Sequence, residues 1–222
     1  MIKKLFFILI FIISVIKALS FFLTDCADYP LTPKITLYSS FGKLKINEEK
    51  NTKQITEISK KLNIHENNYL LSGLTTSNIK LNVITKTSGF LSKNNKICII
   101  PENIDIYLTI DSPTIYISKD IKSNSCEYNL TKYHEITHHL INIKTFEYYL
   151  PLFKIAAEKT IKQIPATIIS NPNNINEATT NLSKQYSKQL SIFVNFINQE
   201  MQKQQKFLDS KENYEFETKI CN

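Results

Sequence analysis

Thr131-Lys132-Tyr133-His134-Glu135-Ile136-Thr137-His138-His139-Leu140 reads as one helix carrying the pattern H-E-x-x-H, and the rest of the chain organises around it. Residues four apart share a helical face. His134 and His138 therefore offer two imidazoles to a single metal ion, and Glu135, one step round, can polarise a water activated by that metal. The chain has four histidines, and those at 134, 138 and 139 fall within six residues, which disfavours a chance match. His139 lies off the His134/His138 face and reads as a supporting or surface side chain. Tyr133, Ile136, Leu140 and Ile143 recur at helical spacing and predict the buried stripe of this helix, with the two histidines beside it. Asn129 or Thr131 is the expected cap.

Upstream, the alternation of Ile104, Ile106, Leu108 and Ile110 predicts a strand. Asp111-Ser112-Pro113 reads as a turn and 114–117 as the returning strand, so this region predicts a hairpin. Residues 97–100, 79–86 and 34–38 read as further short strands, 51–62 as a helix and 67–78 as mostly loop. Downstream, Pro151 marks the start of a new helix with Leu152, Phe153, Ala156, Ala157, Ile161 and Ile164 on its apolar face, ended by Pro165. A polar linker over 170–176 precedes a long amphipathic helix over 176–211, with Leu182, Tyr186, Leu190, Phe193, Val194, Ile197, Met201 and Leu208 on one side. The expected fold is α+β: a small, mainly antiparallel sheet, the motif helix behind it and a helical C-terminal half.

The first twenty residues read as a leader. Lys3 and Lys4 precede the apolar run 5–16, and Ala18-Leu19-Ser20 supplies small residues for cleavage after Ser20. The competing reading is an uncleaved anchor continuing through Phe21-Phe22-Leu23, which Lys17 interrupts. No second segment is long and apolar enough to span a bilayer, so an exported protein without a stable membrane span after leader removal is expected, periplasmic or secreted. The organisation predicted is a leader over 1–20, a mixed segment over 21–72, a metal-site core over 73–165 and a long helix with tail over 166–222. The formal charge of +7 falls to +4 once Lys3, Lys4 and Lys17 leave, with 24 lysines against 20 acids. There is no arginine, which disfavours nucleic acid as a partner. Four cysteines, at 26, 98, 126 and 221, fit two disulfides in an exported chain, with three connectivities open. The pairing Cys98–Cys126 with Cys26–Cys221 is preferred, because it would steady the motif helix and clip the chain ends.

A catalytic Zn2+ takes three protein ligands and keeps one open position. No histidine follows His139, so the third ligand is a carboxylate, a tyrosine or His65. Glu158, twenty residues beyond His138 on the expected next helix, is the first candidate, although Lys154 and Lys162 at i−4 and i+4 also suit a surface ion-pair row. Glu177, Glu147 and His65 follow. Tyr128 or Tyr133 can supply a phenol to an oxyanion, and both also suit packing.

These residues together are similar to a family. Cys98, Ile115-Tyr116-Ile117, Ser125-Cys126-Glu127-Tyr128, His134-Glu135-x-x-His138, then Leu208-Asp209-Ser210-x-Glu212-Asn213-Tyr214 and Cys221, behind a leader, resemble bacterial exported proteins of unknown function expected to be secreted zinc-dependent proteases. The resemblance runs from about Gly73 to the C-terminus, and H-E-x-x-H is its mechanistically specific part. It implies a zincin-like helix with His134 and His138 as zinc ligands and Glu135 as general base. The activity it implies is hydrolysis of peptide or related amide bonds in a peptide or protein substrate. It supplies neither a third ligand nor a substrate preference. The alternative from another class is a non-catalytic envelope protein with a decayed or structural metal site, binding a partner through its C-terminal helix.

Overall fold

The computed structural model describes Cys26 and residues 32–64, 70–92 and 95–221. The leader, and with it the question of cleavage or anchoring, lies outside the described residues, as does His65. In chain order the elements are β1 (Lys34–Ser40), β2 (Lys45–Asn47), α1 (Thr52–Lys61), β3 (Gly73–Leu91), β4 (Ile97–Ile117), α2 (Cys126–Gln163), β5 (Thr167–Ile169), α3 (Ile175–Leu208) and α4 (Lys211–Thr218). A short 3-10 turn, Pro172–Asn174, leads into α3. The fold is α+β with a helical C-terminal half.

The sheet is not the small, mainly antiparallel one expected. It has five strands built on β4, which pairs with β1, β2, β3 and β5. β2 runs parallel to β4, with Lys45 opposite Thr114, Ile46 opposite Ile115 and Asn47 opposite Tyr116. The side chains of β1 keep the same offset of 69 residues: the rings of Tyr38 and Tyr107 stack at 4.9 Å, and the Ser40 hydroxyl donates to Thr109 at 3.1 Å. β1 and β2 thus form one parallel track along β4, which requires the long crossover through α1 and β3. β5 adds antiparallel to the start of β4, so the sheet is mixed.

The expected hairpin at 111–113 is likewise absent, because 97–117 is a single strand of 21 residues. Buried positions fall on 104, 106, 108 and 110 and then on 113, 115 and 117. That one-residue change of parity is the signature of a β-bulge, not of a reversal. Ser112 supplies the left-handed backbone (φ 47°) and Pro113 the missing N–H. The facing chain makes room with Gly42 (φ 63°), where a Cβ would lie 2.7 Å from the Ile110 carbonyl oxygen. β3 also begins earlier than expected, at Gly73, inside the stretch read as loop.

Two further expectations are corrected in the helices. Pro151 does not open a new helix; α2 runs unbroken through it. Pro151 removes one N–H, on an exposed side where water can reach the carbonyl it leaves unpaired, while Phe146 and Phe153 are anchored in the core on either side. The cap is Ser125, whose hydroxyl accepts from the Tyr128 N–H at 3.1 Å, and not Asn129 or Thr131. α3 keeps most of its expected face, burying Ala178, Leu182, Tyr186, Leu190, Val194, Ile197 and Met201 at steps of three and four, while Phe193 and Leu208 are half-buried.

The disulfides are Cys26–Cys98 and Cys126–Cys221, not the preferred pairing. Each disulfide lies within one compact unit, whereas the preferred pairing Cys98–Cys126 would have joined residues of two. Among the described residues no helix is long and apolar enough to cross a membrane.

Two compact units are distinguishable. One takes Val83–Ile106 and Glu158–Gln189, with the described residues up to Thr36. Its core includes Val83, Ile99, Ile104, Ile106, Ile161, Leu182 and Tyr186, and the Cys26–Cys98 disulfide lies within it. The other takes Leu37–Asn82, Tyr107–Ala157 and Leu190–Asn222, with Ile55, Leu108, Ile110, Ile115, Ile117, Phe146 and Phe153 fully or almost fully buried. The motif and the residues gathered around it belong to this second unit.

Candidate metal centre

The most buried face of α2 is not its apolar stripe, of which Ile136 is half-buried against Ile115, Ile117 and Tyr128. Tyr133 is 73% exposed and Leu140 50%, whereas His134, Glu135, His138, His139 and Asn142 are all buried. Burying so many polar groups is costly unless each is satisfied, so their partners define what the site can do.

The partners come from the end of the chain. Asp209, just past the last residue of α3, places Oδ1 2.9 Å from His138 Nε2 and 3.2 Å from His134 Nε2. The two Nε2 atoms are 3.1 Å apart. His134, His138 and Asp209 are thus a possible metal-binding triad. A tetrahedral ion with bonds of about 2.0–2.1 Å sets its ligand atoms about 3.3 Å apart, so the observed triangle is close to one face of that tetrahedron. Among the described residues this is the one group of three or more His, Cys, Asp or Glu side chains with such an arrangement.

α4 supplies the supports. Glu217 lies 3.0 Å from His134 Nδ1, which directs that ring's N–H toward the carboxylate and leaves the Nε2 lone pair facing the triad. The Asn213 side-chain amide donates to Glu217 Oε1 and to the Leu208 carbonyl, both at 2.9 Å, tying α4 to the end of α3. The Tyr214 hydroxyl donates to Asp209 Oδ1 at 3.2 Å, and its ring stacks on His134 with centroids 5.2 Å apart. Cys221, three residues beyond α4, is bonded to Cys126, the first residue of α2.

Glu135 is held from the β3 side. The Thr75 hydroxyl lies 2.8 Å from both a Glu135 carboxylate oxygen and the Glu135 carbonyl oxygen. A Cβ at Gly73 would fall 2.5 Å from Glu135 Oε1 and 2.8 Å from the Thr131 methyl, so only glycine lets the carboxylate occupy this position.

The electrostatics favour positive charge at the triad. Burial opposes charge on His134, but hydrogen bonds to Asp209 and Glu217 outweigh it and bring the pKa up to about 9. Burial would raise Asp209, yet its bonds to the two histidines hold it well below the usual carboxylate range. Burial pushes Glu135 up, against the lowering effect of His138 and Thr75. Tyr214 is pushed up by burial and by Asp209. A proton on His134 balances these carboxylates, and a divalent cation among the same atoms would balance them more fully.

His134, Glu135 and His138 are thus brought together as the motif spacing implies. Glu158 is not: with α2 continuous, it lies about five and a half turns further along the same helix. Glu147 pairs with Lys144 at 2.9 Å, and Glu177 sits in the first turn of α3. The Tyr128 hydroxyl donates to Glu48, and Tyr133 is exposed. His139 is buried with Nδ1 unpartnered among the described residues, and burial lowers its pKa. The residues missed are Asp209, Tyr214 and Glu217. Asp209 and Tyr214 stood inside the C-terminal motif Leu208-Asp209-Ser210-x-Glu212-Asn213-Tyr214, the one signal that could have found them.

A cleft of about 750 Å³ opens beside the triad. Its walls are one face of α2, the segment Leu70–Gly73 and α4. No family model, curated protein or solved structure matches this chain.

Proposed function

We infer that this protein is an exported zinc-dependent metallopeptidase in which His134, His138 and Asp209 hold the metal and Glu135 is the general base. The observation that carries the reading is the convergence of two Nε2 atoms and one carboxylate oxygen within 2.9–3.2 Å of one another, beside a buried glutamate and an open cleft. Zinc is the metal best suited to two imidazoles and a carboxylate with one position left open. Bound zinc would act as a Lewis acid toward water and the scissile carbonyl.

The chain's own residues do the rest. Glu135 takes the proton from the attacking water and hands it to the leaving amine. Thr75 and the missing side chain at Gly73 fix where its carboxylate stands. Glu217 keeps the His134 Nδ1–H engaged, and Tyr214 braces Asp209 while presenting a phenol at the cleft. Two disulfides and the absence of a membrane-spanning helix among the described residues are compatible with export.

The test is metal content by mass spectrometry together with hydrolysis of a random peptide library. One zinc per chain is expected in the wild type and in Glu135→Gln, with loss in His138→Ala and Asp209→Ala. Glu135→Gln should retain zinc and lose hydrolysis by at least about a hundredfold. Zinc bound with unchanged hydrolysis in Glu135→Gln would remove Glu135 from the mechanism. Zinc bound with no hydrolysis in any form would favour the non-catalytic envelope protein.

A further inference from the structure

We propose that the cleft selects peptides with an apolar residue one or two positions from the scissile bond and a lysine or arginine at about the third, read by Glu127. This rests on the metallopeptidase reading and adds its substrate class. One wall of the cleft is the α2 face formed by Glu127, Leu130, Thr131 and His134, at i, i+3, i+4 and i+7. At a rise of about 1.5 Å per residue, Leu130 stands about 6 Å and Glu127 about 10 Å from His134 along the axis. A peptide extended along the α2 wall would advance about 3.3 Å per residue, so these distances would correspond to its second and third residues from the reacting carbonyl. Leu70 and Leu71 line the cleft together with Leu130 and give it an apolar part.

The charge of the cleft points to a cation. Glu127, Glu135, Asp209, Glu215 and Glu217 line it against a single lysine, Lys211, on a chain whose net charge is +7. A divalent ion at the triad still leaves carboxylates in excess. Lys211 lies 3.6 Å from Glu215 and is thereby engaged. Glu127 is exposed and has no ion-pair or hydrogen-bond partner among the described residues. An acidic cleft on a basic protein attracts cationic segments and rejects acidic ones.

The experiment is cleavage of a synthetic library, randomised over eight positions, by the oxidised zinc-loaded protein and by Glu127→Lys, with cut sites read by mass spectrometry. The wild type should favour lysine and arginine over aspartate and glutamate on the order of tenfold at one position about three residues from the cut. Glu127→Lys should abolish or invert that preference while keeping its zinc and the apolar preference nearer the cut. Cutting without a charge preference, or with one that Glu127→Lys leaves unchanged, overturns this inference and leaves the metallopeptidase reading intact. Bound zinc without cutting of any peptide overturns that reading, and this inference with it.

Discussion

Glu135 owes its position to an atom that is absent. Gly73 has an ordinary backbone conformation, so conformational freedom is not what its position needs; the need is space. On the proposed mechanism, Gly73→Ala is expected to lower kcat/KM about a hundredfold or more, because displacing the proposed general base by a fraction of an ångström spoils its alignment. Zinc content should stay at the wild-type level. Full activity in Gly73→Ala would show that the carboxylate has room elsewhere. A second residue acts on stability alone. Tyr186 is fully buried, its hydroxyl has no partner among the described residues, and burial pushes its pKa up to about 12. The folded state therefore holds this proton more tightly than the unfolded chain, whose tyrosine titrates near 10. Between pH 10 and 12 the unfolded state loses the proton first, and stability falls by about 2–3 kcal/mol. Tyr186→Phe should be nearly neutral at pH 7 and should flatten that alkaline loss. Parallel denaturant titrations at pH 7 and pH 11 decide it, and an equal alkaline loss in both proteins counts against the assignment.

At the scale of elements, α2 and β4 both absorb a feature that local rules read as a break. In β4 the bulge at Ser112-Pro113 shifts the buried parity by one residue and the strand goes on. In α2, Pro151 sits between two phenylalanines whose burial outweighs one missing hydrogen bond. Pro151→Ala is expected to restore that bond and raise stability by about 1–3 kcal/mol, seen as a higher Tm. A lower Tm would mean that α2 requires the geometry proline imposes. The period of α3 was legible because its buried residues recur at steps of three and four, although Ile192, Phe196 and Phe207 are apolar and exposed. The face of α2 was not. Its apolar residues are spread round the helix, Tyr128 and Phe146 buried but Tyr133, Leu140 and Tyr148 exposed, so periodicity could not choose the buried side.

For the molecule as a whole, the two disulfides close loops of 72 and 95 residues. By chain entropy each is worth about 4–5 kcal/mol, so removing either pair should lower the denaturant midpoint. They should differ in a second property. Cys126–Cys221 tethers the segment bearing Glu217 and Tyr214 to the start of the motif helix, whereas Cys26–Cys98 lies in the other compact unit. If the triad holds zinc as proposed, replacing Cys126 and Cys221 by serine should weaken its binding by about 10- to 100-fold, the usual effect of losing a support behind a metal-ligating histidine. Replacing Cys26 and Cys98 should leave zinc affinity near wild type. Equal losses from both pairs would assign the effect to general loosening.

The sequence by itself determined the chemistry on offer: two imidazoles and a glutamate on one helix, four cysteines, a long amphipathic helix and an α+β composition. Those follow from spacing within one element. Tertiary structure decided the rest. Asp209 reaches His138 across 71 residues, Glu217 reaches His134 across 83, and β2 pairs with β4 across 69. Local periodicity carries no information about such pairings; they are selected when burial of the core and satisfaction of buried polar groups are met together.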